Sequence, residues 1–293
     1  MKIGRIWGIN LYLNPFFLAL LGLFFVAGIL DRGLIAFGVV LVHELAHAVV
    51  AKRLGVAVAD VELLPFGGVT RMAGDMAVNP RQEIHIAIAG PTGNLVLFLA
   101  GMALKNYGLW DDELNRFFLQ CNVLIALFNI LPALPLDGGR VYRAFLAGRI
   151  GVRNATCRAA GLGQAWGVAV ILAGAAGLAL GRAGLDILIT GLFLLYAATR
   201  ERTAAPYLFI RHMIQKKEDL IREGVLPAVT LVAREDAVLG EVVRLFMPRR
   251  FHFVAVFSMG LEFKGVLSED KIIDGLFNFG FDHPVGGIDG LIS

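Results

Sequence analysis

The chain has 293 residues, 57% of them hydrophobic and only 17% charged, with a mean hydropathy of +0.70. Soluble domains carry about a quarter charged residues, so this composition excludes an ordinary soluble enzyme and points to a membrane protein. The net charge of +3 does not indicate nucleic-acid binding, because the arginines cluster beside apolar runs, as the positive-inside rule requires.

In chain order, "MKIGRIWGINLYLNPFFLALLGLFFVAGIL" has a basic start but no small-x-small cleavage site ahead of a polar mature sequence. It reads as a retained anchor, not a cleaved signal peptide. A bilayer-crossing helix needs about 20 mostly apolar residues. Six stretches are predicted to cross: 13–30, 33–52, 84–105, 115–132, 160–180 and 184–199. Between the second and third lies "VADVELLPFGGVTRMAG", whose alternation, β-branched residues and Gly-Gly pair predict a short hairpin or re-entrant sheet. Such backbone is tolerated at membrane depth only where protein covers it or it faces a water-filled cavity.

Basic residues fall on one side of this arrangement. Lys2 and Arg5, Lys52 and Arg53, Arg71 and Arg81, the arginines from 140 to 158, and Arg200, Arg202 and Arg211 occupy alternate connections. Both termini are therefore expected in the cytoplasm. The apolar runs stop near "ATRERTAAP", so residues 1–200 are expected to form the transmembrane domain, 201–224 a linker and 225–293 a soluble domain. Cys121 lies in an apolar run and Cys157 in an Arg-rich segment, which does not make a disulfide framework.

The chemistry is concentrated in "VLVHELAHAVV". HELAH is an H-E-x-x-H motif: on a helix, His43 and His47 lie on one face, one turn apart, where both can grip a zinc ion. Glu44 is placed to take a proton from a zinc-activated water and pass it to a leaving amine. The alternative is a structural histidine pair, but three polar residues in a membrane span need partners. A catalytic zinc usually has three protein ligands and an open position. Asp137 supplies the third in this reading, at the end of an apolar run among Pro132, Pro135, Gly138 and Gly139, which break the helix. The fourth and second spans both end on the cytoplasmic side, which brings Asp137 and His47 to similar depth. The alternative for Asp137 is a loop carboxylate paired with Arg140. His85 reads as a polar residue near a helix start or as a fourth ligand. In "AGPTGN" (89–94), Gly90 and Gly93 read as packing residues and Pro91 as a kink in the span, while Asn94 reads as packing, with cavity lining its other reading.

HELAH, "LLPFGG" at 63–68, "AGPTGN" at 89–94 and "NILPALPLDGG" at 129–139, in that order, resemble the site-2 protease family of intramembrane zinc metalloproteases over residues 10–150. The resemblance implies zinc on His43, His47 and Asp137, with Glu44 as general acid/base. It also implies Asn129 as a group binding substrate backbone or the oxyanion, and Pro135 as a shaper of the site. Phe66 and Gly67, in "LLPFGG", would belong to a strand edge that pairs with an unwound substrate.

Residues 225–277 read strand, helix, strand, strand, helix, and this resembles a single cystathionine-β-synthase-type (CBS-like) α/β domain. Such domains usually act in pairs around an adenine nucleotide, so one copy implies a homo-oligomer. Thr230, Ser268 and Asp270 are the implied nucleotide contacts, with ATP or another adenine nucleotide as ligand. Here "SEDK" departs from the Ser/Thr-x-x-Asp pattern, which leaves a dimerisation or substrate-docking module as the other reading.

Six spans with one such tail resemble the sporulation branch of the family, whose members remove the pro-sequence of a mother-cell sigma factor. The expected protein is a multi-pass bacterial membrane protease acting on a pro-sigma factor or another membrane-anchored regulator, such as an anti-sigma factor, with membrane inhibitor proteins as further partners. A metal or ion transporter with a CBS-like tail is the alternative from another class. It would favour polar residues spread over several spans and internal repeats, whereas here they gather at one depth.

Overall fold

Asn14 and Pro15 decide where the first helix begins. The Asn14 side chain accepts the Phe16 N–H at 3.0 Å, and Pro15 takes the first helical position, where its missing N–H costs nothing. The computed structural model describes residues 2–6, 9–64, 67–72, 80–106, 112–181, 184–247 and 250–288. Ahead of Asn14, β1 (Lys2–Ile6) and β2 (Ile9–Leu13) pair antiparallel. The expected span 13–30 is a shorter helix, α1 (Pro15–Val26), whose 12 residues reach about 18 Å. Gly28, at φ +70°, turns the chain directly into α2 (Leu30–Arg53).

The end of α2 is a Schellman motif. Gly55 sits at φ +77°, its N–H donates to the Lys52 carbonyl and the Val56 N–H to the Ala51 carbonyl, and Val56 packs on Ala51. The chain then enters β3 (Val58–Leu64) and β4 (Gly67–Met72), the hairpin expected from the sequence. The sheet order is β1-β2-β3-β4, with β2 and β3 parallel and the other pairs antiparallel. One cluster, Leu11, Ala48 and Val61 with Leu41 and Leu45, seals this sheet onto α2.

α3 (Pro80–Asn106) and α4 (Asp112–Ile130) pack on α2 and on each other. Close approach depends on small residues: a Cβ on Gly93 would lie 3.1 Å from the Ala46 Cβ, and one on Gly101 2.8 Å from Phe118. α5 (Asp137–Ile150) starts after a short connection, within the stretch expected to join the fourth and fifth spans. α6 (Val152–Ala179) and α7 (Leu185–Glu223) follow, packed through Gly167, Gly174 and Gly191. α7 continues as helix through most of residues 201–224, the segment expected to be a linker.

Three helices, Leu30–Arg53, Pro80–Lys105 and Val152–Ala179, are long and apolar enough to cross a membrane among the described residues. The count falls below six because α1 is short and α4 carries Asn115, Gln120, Asn122 and Asn129 in its apolar run. The apolar stretch of α7 ends at Arg200. Leu95, Val96 and Leu99 on α3 are each more than half exposed, as expected for side chains that face lipid.

The chain divides into two compact units: Met1–Ala144 with Ala159–Glu201, and Phe145–Arg158 with Arg202–Ser293. The second includes the turn from α5 to α6, which sequence reading assigned to the membrane domain. There Gly151, at φ +77°, comes so close to the chain that an added Cβ would lie 3.1 Å from the Arg244 and Phe246 carbonyls. Its sheet, β5 (Ala228–Arg234), β6 (Phe251–Phe257) and β7 (Phe263–Ser268), has β5 parallel and β7 antiparallel to the central β6. With α8 (Leu239–Arg244) and α9 (Glu269–Phe279), this follows the expected order of elements. The core is Leu239, Val242, Phe246, Val254, Val256, Leu267, Ile272 and Leu276. Buried His252 bonds Glu269 through its backbone N–H at 2.9 Å and its Nδ1 at 3.0 Å, while its Nε2 accepts the Met247 N–H.

Candidate metal centre

A stripe on α2, Val39, His43, His47 and Ala51, recurs every four residues and is buried along its length. It faces α3 at the point where α3 has no side chain. A Cβ on Gly90 would lie 2.4 Å from the His47 Nε2 and 2.5 Å from the His43 Cε1, so the glycine leaves the space both imidazoles occupy. Asp137 arrives from the first turn of α5. Its approach needs both following glycines, since a Cβ on Gly138 would lie 2.0 Å from the Ile130 carbonyl oxygen and one on Gly139 2.3 Å from the Leu134 nitrogen.

The three side chains meet in a nearly equilateral triangle. His43 Nε2 and His47 Nε2 are 3.1 Å apart, and each is 3.1 Å from Asp137 Oδ2. All three residues are buried, and Oδ2 has no hydrogen bond despite these neighbours. Tetrahedral zinc, with bonds of about 2.0–2.1 Å, spaces its ligand atoms by roughly 3.3 Å. Two imidazole nitrogens and an orphaned carboxylate oxygen at this separation fit such an ion, with three protein ligands leaving one position open. Arg140 Nη1 lies 3.9 Å from the other carboxylate oxygen, so the pairing considered from sequence exists alongside the cluster.

The outward-facing nitrogens are held as well. His47 Nδ1 is 2.6 Å from the Ile86 carbonyl oxygen and His43 Nδ1 is 2.5 Å from Asn94 Oδ1. Oxygen acceptors keep the proton on Nδ1 and free Nε2 for a metal. Glu44 points to β4, where the Thr70 hydroxyl is 2.8 Å from its Oε2. A Cβ on Gly68 would lie 2.3 Å from the Glu44 Cγ, so β4 offers the carboxylate a place as well as a bond.

Residues 33–109 match the sequence profile of Peptidase family M50. The Site-2 Protease from Methanocaldococcus jannaschii superposes with a TM-score of 0.57 at 27% identity, over 69% of this chain and 94% of that one. Residues 33–109 thus carry the sequence profile of peptidase family M50, and the membrane unit is similar to a solved site-2 protease. Rip3 of Mycobacterium tuberculosis is 39% identical over 172 residues, 56% of this chain and 44% of the relative. Stage IV sporulation protein FB of Bacillus subtilis is 29% identical over 133 residues, 45% of this chain and 46% of that protein. The chain thus spans about half the length of these curated relatives.

Within the membrane unit, the structure gathers His43, His47 and Asp137. The other candidates named from the sequence have the following places. Asn129 donates back to the Ile125 carbonyl of its own helix at 3.0 Å. Pro135 follows a cis peptide bond in the connection before Asp137. Gly67 is the first residue of β4, and Phe66 lies outside the described residues. His85 is exposed and bonds the Arg81 carbonyl at 2.6 Å, away from the cluster. In the second unit, Thr230 and Ser268 both pair with Phe253 across the sheet, and Asp270 is in the first turn of α9. The sequence singles out Asn94 as a packing or cavity-lining residue but gives no sign of Asn122 or Thr70. Asn94 did carry a signal, as a buried-type amide ending a motif on an apolar helix, but only the structure shows which group it meets.

Proposed function

We propose that this chain is a zinc-dependent metalloendopeptidase that cuts a membrane-associated regulatory protein, with His43, His47 and Asp137 as metal ligands and Glu44 as general acid/base. The observation that carries this reading is the buried triangle of His43, His47 and Asp137 beside Glu44, within a segment of peptidase family M50. Zinc bound there would supply an activated water and polarise the scissile carbonyl. Glu44 takes the proton from the attacking water and returns it to the amine that leaves. Thr70 holds one carboxylate oxygen, leaving the other for this transfer. The β4 strand lies at the edge of its sheet, so an extended substrate can add beside it, opened from its helix for hydrolysis. Gly67 belongs to that edge, Phe66 precedes it, Asn129 would contact substrate backbone, and Pro135 would shape the approach to Asp137.

The substrate we propose is the pro-sequence of a sporulation sigma factor. Similarity to Stage IV sporulation protein FB supports this, as does an active site read as lying near the cytoplasmic face of a six-span bacterial membrane protein with both termini in the cytoplasm. An anti-sigma factor or similar anchored regulator is the other substrate considered. The second unit, with its CBS-like order of elements, would join copies of the chain, and an adenine nucleotide would bind near Thr230, Ser268 and Asp270. Membrane proteins that restrain the protease would complete the set of partners.

Co-expression in bacterial membranes tests the substrate. A pro-sigma factor and a single-span anti-sigma factor are each supplied, and cleavage is followed by electrophoretic shift. Processing of the pro-sigma factor alone is expected. Processing of the anti-sigma factor alone would replace the proposed substrate, and no processing of either would count against both.

A further inference from the structure

We infer that Asn122, one residue removed from the metal ligands, fixes the metal-binding tautomer of His43 by dictating which way the Asn94 amide faces. This rests on the reading of His43 as a metal ligand.

The two histidines are held differently. His47 Nδ1 faces the Ile86 backbone carbonyl, which can only accept, so its proton has to sit on Nδ1. His43 Nδ1 faces an asparagine amide, which is not committed in this way. Turned by half a rotation, that amide would present its NH2 group. His43 Nδ1 would then accept, the ring proton would move to Nε2, and the nitrogen aimed at Asp137 could no longer ligate a metal.

The amide is oriented by a chain of hydrogen bonds that ends on backbone. Asn122 Nδ2 donates to the Phe118 carbonyl at 2.9 Å, one turn earlier on α4. That carbonyl cannot donate, so the NH2 group of Asn122 must face it, and Asn122 Oδ1 faces the other way. Oδ1 then accepts from Asn94 Nδ2 at 3.2 Å, which turns Asn94 Oδ1 to His43 Nδ1 at 2.5 Å. Every step has one direction, and the last leaves Nε2 of His43 unprotonated. Asn94 is 0% and Asn122 1% exposed, so bulk water does not satisfy a reversed arrangement. Three helices therefore converge on one proton: α4 sets the direction, α3 transmits it and α2 carries the ligand.

Asn122 is a positioning residue, and its effect must be conditional. An aspartate at position 94 would present an acceptor to His43 whichever way it turned, so Asn122 should matter only when position 94 is asparagine. Zinc affinity of the purified full-length chain in detergent, by competition with a chromogenic chelator, reads this directly. Asn122→Leu alone is expected to weaken zinc binding by about tenfold or more, the range for losing an outer partner of a ligand. In the Asn94→Asp background, adding Asn122→Leu is expected to change affinity by no more than about twofold, the usual error of additivity. Equal losses in the two backgrounds, or none in the first, would overturn the proposal. His43→Ala separates this from the metal assignment itself: if that variant binds zinc like wild type, His43 is not a ligand and the underlying reading fails. Solid-state 15N NMR of histidine-labelled, zinc-loaded wild type tests the same point where a variant does not fold. Coordination of His43 through Nε2, with a protonated Nδ1, is expected, and coordination through Nδ1 would overturn the relay.

Discussion

The Thr70 hydroxyl lies 2.8 Å from Oε2 of Glu44 and 3.1 Å from the Glu44 backbone carbonyl, so the edge strand β4 and the proposed general base are joined by one side chain. A hydrogen bond to a charged group is worth about 1.5 kcal/mol or slightly more. Thr70→Val keeps the shape and removes the bond, and should lower the rate of cleavage about tenfold. Zinc content should not change, because Thr70 does not touch the ligands. Kinetics and metal analysis on one preparation check both halves.

Gly90→Ala is expected to act on the metal instead. The added methyl would stand 2.4 Å from the His47 Nε2 and 2.5 Å from the His43 Cε1, so the rings must move apart. A loss of zinc affinity of about tenfold or more is expected, comparable to disturbing a ligand's support. The protein should still elute as a folded species by size exclusion. Full zinc affinity in this variant would show that α3 is not packed on the ligands as described.

Arg143 on α5 bonds Glu83 on α3 through Nε at 3.0 Å and again through Nη2, and Glu201 stands 3.9 Å from Nη1. The Arg143 and Glu83 side chains are largely buried. Removing Glu83 leaves Arg143 with only the longer, more exposed contact to Glu201, and loss of one partner of a buried pair typically costs about 3 kcal/mol. Glu83→Leu should therefore lower the melting temperature clearly in detergent. Replacing both partners, Glu83→Leu with Arg143→Met, should recover much of that loss, since apolar residues of similar volume substitute well for buried pairs. Thermal unfolding of the two variants against wild type distinguishes these outcomes.

How much of this was legible depended on the range of each interaction. His43, Glu44 and His47 could be read because a helix converts a spacing of four into one face. Asp137 could be read because prolines and glycines around it announce a chain reversal beside an apolar run. The β3–β4 hairpin was signalled by its own Gly-Gly pair. The partners of β3 on its other side were not, because β2 joins it in parallel from about fifty residues earlier and nothing local marks that pairing. The length of α7 was hidden for a different reason. Composition changes after Arg200 as apolar residues give way to charge, but that records a change of surroundings, and the backbone continues as helix. Thr70 and Asn122 carried no signal, and Asn94 only that of a polar residue on an apolar helix, since their roles depend on which atoms lie opposite them.

The most direct test of the central claim uses one purified protein and three substitutions. Zinc stoichiometry and cleavage of a membrane-anchored substrate are measured together for wild type, Glu44→Gln, His43→Ala and Asp137→Ala. Wild type and Glu44→Gln are expected to hold one zinc per chain, with Glu44→Gln losing about a hundredfold or more in rate, the scale of a general acid/base contribution. His43→Ala and Asp137→Ala are expected to lose both zinc and activity. Cleavage by Glu44→Gln at the wild-type rate, or full zinc binding by Asp137→Ala, would contradict the account.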